Sequence, residues 1–258
     1  MPVTAGLHYF LHDGGKPTRP PLVLIHGAGG DLLSWPPELR GLSNARVFTL
    51  DLPGHGKSAG TGCQSIDDYT KRVIDFIDAI GFSRAVIVGH AMGGAIALTL
   101  ALDHPDRVAG IGLISCGPRL PITPSILDNA SNLATFLQAV HSFQELMHIT
   151  PNAANLKAQT LDRLALVRQT LFLGDLLACD QFDVSARMGS IKTPVLVVCG
   201  TEDELTPQHF SDSLAGKIPG AALQRIDGAG HLVMLERPRR VAGLISIFLL
   251  TIPYIPGY

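Results

Sequence analysis

The sequence predicts a doubly wound α/β fold: a mostly parallel sheet flanked by helices, with a helical cap inserted into it. Three observations carry that reading. Short apolar runs rich in Val, Ile and Leu recur at 22–25, 47–50, 85–88, 111–114 and 195–198, without the polar alternation of half-exposed strands. Amphipathic helical stretches lie between them, as parallel neighbours require for their crossovers. From 118 to 190 the strand rhythm stops and only helical patterns remain, before it resumes after Pro194. The chain therefore divides into a first core part, 1–117, a helical cap, 118–190, and a second core part, 191–258.

Taken in order, residues 13–21 are rich in Gly and Pro and read as a turn between two strands. The stretch 65–81 opens on Ser65, an N-cap with Asp68 three residues on, and ends at Gly81. Ile66, Tyr69, Val73, Phe76, Ile77 and Ile80 share one side of it, which makes it an amphipathic crossover helix. A second helix opens at Gly93, directly after the run 85–88. In the insertion, Pro118, Pro121 and Pro124 mark the entry and Pro151 the middle, between helical stretches at 125–149 and 152–178. Leu120, Ile122, Leu133, Phe136, Leu137, Phe143 and Met147 recur there at near-helical spacing, so most pack on the core and some line a pocket. The last helix follows Pro238, with Val241, Leu244, Ile245, Phe248 and Leu249 at i, i+3, i+4, i+7 and i+8.

Composition excludes several classes of function. With 258 residues, 46% of them hydrophobic and 16% charged, the chain buries a core without staples, and disorder is excluded. Twenty basic and 22 acidic residues leave a net charge of −2 with no basic run, so nucleic acid is not an expected partner. Cys63, Cys116, Cys179 and Cys199 lie far apart and read as buried thiols. The start lacks a signal-peptide pattern, and the most apolar stretch, 241–252, is about half a membrane span, so a soluble cytoplasmic protein with no membrane partner is expected. His8 and His12 share a strand face without a third ligand, so they read as solvated and no metal is expected. Gly56-Lys57-Ser58 imitates the end of a phosphate-binding loop, but that motif needs Gly where Asp51 stands. Composition suits monomer and dimer alike.

Chemistry concentrates in Gly89-His90-Ala91-Met92-Gly93-Gly94, which joins a buried strand to a helix as a nucleophile elbow does. The tip of that turn is position 91. Its backbone is strained and crowded on both sides, so small residues are needed two before and two after, and Gly89 and Gly93 supply them. Further motifs surround it. His26-Gly27-Ala28-Gly29-Gly30, with Trp35 beyond, follows the first apolar run, and Asp51-Leu52-Pro53-Gly54-His55-Gly56-Lys57-Ser58 follows the second. Gly200-Thr201-Glu202-Asp203-Glu204-Leu205-Thr206-Pro207 and Gly228-Ala229-Gly230-His231, then Glu236-Arg237-Pro238, come after the insertion. In this order the motifs resemble those of the α/β-hydrolase family, whose elbow reads G-x-S-x-G, and the resemblance spans the chain outside the insertion.

The resemblance implies a triad of position 91, Asp203 and His231, with Ala91 standing where the family has serine. A hydroxyl there would give its proton to His231 while Asp203 held the imidazole in the right tautomer. The backbone N–H groups of Ala28 and Met92 are the candidate oxyanion donors, one after the His-Gly turn and the other at the helix N-terminus. The expected pocket comprises His26, Gly27, Gly29 and His90, with Phe136, Leu137 and Phe143 from the cap, and it is apolar. No cofactor is implied. The activity implied is a serine hydrolase of carboxylic esters with small-to-medium apolar acyl groups, its partner a small-molecule ester or lactone. Carbon–carbon bond hydrolases, lactonases and perhydrolases keep the same triad. Without an attacking oxygen the chain is expected to be an inactive serine-to-alanine variant, the other reading being a naturally inactive ligand-binding protein.

Overall fold

A computed structural model describes residues 2–14, 20–43, 45–147, 150 and 153–253. Its eight-stranded sheet runs β1 (Val3–Thr4), β2 (Leu7–Asp13), β4 (Arg46–Leu50), β3 (Leu22–Ile25), β5 (Ala85–His90), β6 (Val108–Ile114), β7 (Val195–Gly200) and β8 (Ala222–Ile226). Only β2 breaks the parallel arrangement, pairing antiparallel with β1 and β4. Strands β3, β5, β6 and β7 are buried along their whole length, which is why they read as unbroken apolar runs. The sequence reading missed β8, because this edge strand is mostly exposed and has no apolar run to announce it.

The chain steps from β3 outward to β4 and then returns past β3 to β5, so the winding direction reverses between β3 and β5. The two are in register with Ile25 opposite Gly89, and the loops leaving their carboxyl ends diverge around a crevice. Both motif loops, 26–30 and 89–94, emerge there.

Helices α1 (Pro37–Arg40), α2 (Ile66–Ala79) and α3 (Met92–Asp103) belong to the first half of the chain. Ser65 caps α2 by accepting from Asp68 N at 3.1 Å, and Gly81 leaves it with φ 81°. Residues 92–101 of α3 are buried all round, since the helix is packed between the sheet and α2. The two long helical stretches expected in the insertion are four helices, α4 (Pro124–Ser131), α5 (Phe136–Leu146), α6 (Ala154–Ala165) and α7 (Gln169–Asp180). The first break comes at Asn132, whose extended backbone lets its Oδ1 accept from Ala134 N at 2.9 Å, a local bond that competes with the helix. The second comes at Arg168, also extended, whose guanidinium reaches the carbonyls of Gly54 (3.2 Å) and Gly60 (3.1 Å). The helix ends read at 149 and 152, Pro151, and residues 15–19 of the expected turn lie outside the described residues. Helices α8 (Gln208–Lys217), α9 (Val233–Glu236) and α10 (Pro238–Thr251) complete the fold.

Two readings of single residues are corrected. His8 is not solvated: it is buried, its Nδ1 2.7 Å from Asp51 Oδ2, because Asp51 also gathers Leu32 N and Lys57 N and needs enclosing partners. The Asp51–Ser58 segment is thereby a loop folded around its own first carboxylate. Cys116, Cys179 and Cys199 are buried, but Cys63 is partly exposed, and all four are free. Among the described residues no helix is long and apolar enough to cross a membrane, and no three His, Cys, Asp or Glu side chains group as a metal site.

Candidate active site

The elbow is strained at its tip. Ala91 has φ 47° and ψ −108°, a conformation side chains rarely adopt, and its N–H is held by Ile114 O at 3.0 Å. Such a residue costs on the order of 1–3 kcal/mol and persists only where its surroundings impose it. Here they do. A Cβ on Gly89 would lie 2.0 Å from Gly93 O, and one on Gly93 would lie 2.2 Å from Ile25 O. The strand, the turn and α3 therefore approach as closely as backbones can, and the tip side chain is pushed into the crevice.

His231 and Asp203 arrive from the loops after β8 and β7. Both are buried, with His231 Nδ1 3.1 and 3.0 Å from the two Asp203 oxygens. Asp203 is oriented by Leu205 N (3.0 Å), Thr206 N (2.8 Å) and Thr206 Oγ1 (2.7 Å). Burial pushes its pKa up, but the charge and hydrogen bond of His231 and the Thr206 donors outweigh that and leave it below its usual value. With Nδ1 engaged, the other ring nitrogen is the one left to meet a reacting group. His231 N donates to Met147 O at 2.8 Å, and its carbonyl accepts from His90 Nε2 at 3.1 Å. Burial, with His231 adding to it, lowers His90 to about 3, so its imidazole is neutral.

Residues 27–30 form a tight turn, Gly30 N donating to Gly27 O at 3.0 Å with Gly29 at φ 65°. Among the described residues, neither Ala28 N–H nor Met92 N–H donates a backbone hydrogen bond. Both line a narrow cavity together with His90, Ala91, Phe143, Thr206 and His231. Leu120, Pro121, Ile122, Met147 and Cys179 of the inserted segment, with Leu205 from the loop after β7, make the rest of its wall. An adjoining cavity shares Ala28, His90 and Met147 and adds Gly27, Gly29, Ser34, Thr160 and Arg163.

Three residues read as pocket lining do not line either cavity. His26 is buried behind the turn, accepting from Leu52 N at 3.1 Å and donating to Gly27 O at 2.8 Å. Phe136 packs edge-on against Phe172 at 5.9 Å, and Leu137, its neighbour on α5, is 56% exposed. Adjacent helix positions point about 100° apart, which turns Leu137 away, whereas Phe136 shares the Phe143 face two turns earlier and meets Phe172 instead of the cavity. Thr206 was missed, although a Thr three residues after an Asp in a polar loop is a turn signal.

A family model described as alpha/beta hydrolase fold matches residues 20–238. Among curated relatives, a Caulobacter vibrioides protein named "Putative carbamate hydrolase RutD" is 33% identical over 260 residues, covering 95% of each chain. Among solved structures, the enol-lactonase from Burkholderia xenovorans LB400 superposes with a TM-score of 0.84 at 25% identity, covering 95% of this chain and 96% of that one. Est816, described as an N-acyl homoserine lactone degrading enzyme, matches with a TM-score of 0.81 at 27% identity over 94% of this chain and 96% of its own.

Proposed function

The chain belongs to the α/β hydrolase fold family, and we propose that its crevice is the site of a serine-type hydrolase of small esters, lactones or carbamates. In this reading Ala91 occupies the nucleophile position and the chain as it stands is inactive. One observation carries the reading: the strained tip, Ala91, shares a cavity with a buried His231 that Asp203 orients. Strain of that kind has a use only when a reacting atom stands on the tip.

With serine at 91, His231 takes the hydroxyl proton as the oxygen attacks the substrate carbonyl carbon. Negative charge moves to the carbonyl oxygen, which Ala28 and Met92 N–H stabilise. The imidazolium then protonates the leaving group, and water, activated by the same imidazole, cleaves the acyl-enzyme. The 118–190 segment acts as a cap. Its Leu120, Ile122, Phe143 and Met147 make an apolar lobe for the acyl group, while Ser34, Thr160 and Arg163 in the adjoining lobe face the leaving group. Carbamate chemistry enters through the relatives' name, ester and lactone chemistry through the site and the structural neighbours.

Ala91 itself favours one second reading, a hydrolase fold that keeps its pocket for binding. The test is Ala91→Ser against the unchanged chain, both verified as folded by circular dichroism, on nitrophenyl esters of graded length, lactones and carbamates. The serine form is expected to turn over at least about a thousandfold faster, and His231→Asn in that background to abolish the gain. Equal inertness across all three substrate classes refutes the hydrolase and leaves the binding protein.

A further inference from the structure

Asp175 lies on α7 in the stretch Phe172-Leu173-Gly174-Asp175-Leu176-Leu177 and is fully buried. Neither the triad nor either cavity uses it. A carboxylate in an apolar helix needs several donors to offset its desolvation, and here they come from separate core segments. Tyr69 OH of α2 donates to Oδ1 at 2.6 Å, while Oδ2 takes Gly29 N–H at 2.8 Å and His55 Nε2 at 2.8 Å. The His55 Nδ1 donates to the Pro53 carbonyl at 3.0 Å, so the imidazole is fixed at both nitrogens. Burial pulls His55 down, but the charge and hydrogen bond of Asp175 more than offset it and leave its pKa above the usual value.

The Gly29 bond is the informative one. In the turn from Gly27 to Gly30 the central peptide joins Ala28 to Gly29, and the two common turn types differ by a flip of that peptide. Gly29 at φ 65° belongs to the form whose N–H meets Asp175, whereas the flipped form would turn the Ala28 carbonyl toward the carboxylate. The contact is also steric. A Cβ on Gly29 would come within 2.8 Å of Leu164 Cδ2 and 3.0 Å of Phe172 Cδ2, so α6 and α7 press directly on the turn.

We propose that Asp175 is a positioning residue: from the cap, it ties down the Gly29 end of the 27–30 turn and so fixes where that turn carries Ala28 N–H, the donor to the substrate oxygen. The inference rests on the reading of Ala28 as an oxyanion donor. It makes that donor dependent on α7 being docked against the core, a link between two parts of the chain that the triad motifs do not contain.

The test pairs Asp175→Leu with Tyr69→Phe in the Ala91→Ser background. The first leaves no acceptor for Gly29 N–H, whereas the second removes a donor from the other oxygen and leaves that bond. Asp175→Leu is expected to lower kcat by about a hundredfold with KM changed less than about threefold, as the loss of one oxyanion donor does. Tyr69→Phe is expected to lower Tm while keeping kcat within about twofold. Equal kcat losses in the two variants, tracking Tm, overturn the proposal and leave Asp175 a structural residue. A second readout needs neither turnover nor a stable variant: by NMR, the Gly29 amide of the unchanged chain is expected to be protected from hydrogen exchange, and rapid exchange there overturns the proposal. If the serine form shows no turnover, the hydrolase reading fails by itself, and Asp175→Leu must still release the Gly29 amide for its role on the turn to stand.

Discussion

Three buried histidines titrate in opposite senses, and their positions explain why. His26 is lowered to about 4 by burial and by the neighbouring His55, and His90 to about 3 by burial and by His231. His55, facing Asp175, is raised instead. As pH falls below the ordinary value of 6.5, the unfolded chain binds protons that native His26 and His90 refuse, so stability falls until their folded values are reached. His55 has the reverse sign, since its contribution is complete below 6.5 and is lost as pH rises through its raised folded value. Asp203, held low, adds a further loss only below 3.8. Urea midpoints measured from pH 4 to 9 are therefore expected to peak near about pH 6.5. His90→Gln keeps a donor for the His231 carbonyl and should make the acid limb shallower by about one proton. An unchanged acid limb would show that His90 is protonated in the native state. The identity of His231 and Asp203 as candidates was legible because each sits in a motif. The burial of His8 was not, since its partner Asp51 is 43 residues away and only the fold brings them together.

The elbow is where element packing is tightest, and glycine positions that look alike in sequence differ there in kind. The Cβ of a Gly93→Ala variant would meet the Ile25 carbonyl at 2.2 Å, a backbone atom at the end of β3 that has no rotamer to yield. Accommodating it means prising α3 from the sheet, so the expected loss is at least about 2 kcal/mol in urea unfolding. Gly243, on the exposed side of α10, has nothing within 4 Å of an added Cβ. Gly243→Ala is expected to raise stability by about 0.5–1 kcal/mol through helix propensity and a less flexible unfolded chain. Comparable losses in both variants would mean that the strand, turn and helix do not approach as closely as described. The same distinction governs what the sequence disclosed about elements. Strands buried on both faces announce themselves as apolar runs, and α2 by its spacing and its Ser65 cap. The breaks at Asn132 and Arg168 were invisible, because one depends on a local side-chain bond that competes with the helix and the other on acceptors more than a hundred residues away.

At the scale of the whole molecule, the sheet carries the loops of the proposed triad and the insertion supplies most of the cavity wall. Position 91, Asp203 and His231 all stand on loops leaving the carboxyl ends of β5, β7 and β8, so their mutual geometry is fixed by strand register. Motif order along the chain made this division legible. What faces the cavity from α5 was not, because Phe136 and Phe143 share a face two turns apart and only Phe143 reaches the cavity, while Leu137 turns outward. Exposed pairs such as Arg163–Asp31 and Arg187–Asp103 join the insertion to the core, but screened pairs of that kind contribute under about 1 kcal/mol each. A buried tie between insertion and core is the Asp175 network, to which the apolar wall residues contribute no hydrogen bond, so substitutions in that wall should alter selectivity more than the chemical step. Phe143 is the sharpest case, since it lines the cavity and stacks edge-on against Phe172 with centroids 5.4 Å apart. In the Ala91→Ser background, Phe143→Ala removes the wall's one phenyl ring and should move the preferred acyl chain toward longer nitrophenyl esters. It should cost about 3–5 kcal/mol of stability as the ring's contacts are lost. The rate on the shortest ester, which reaches the reacting atoms but little of the wall, should change far less than the rate on the longest. If kcat/KM instead falls in equal proportion for every chain length, Phe143 supports the reacting groups and the cap does not set the acyl preference.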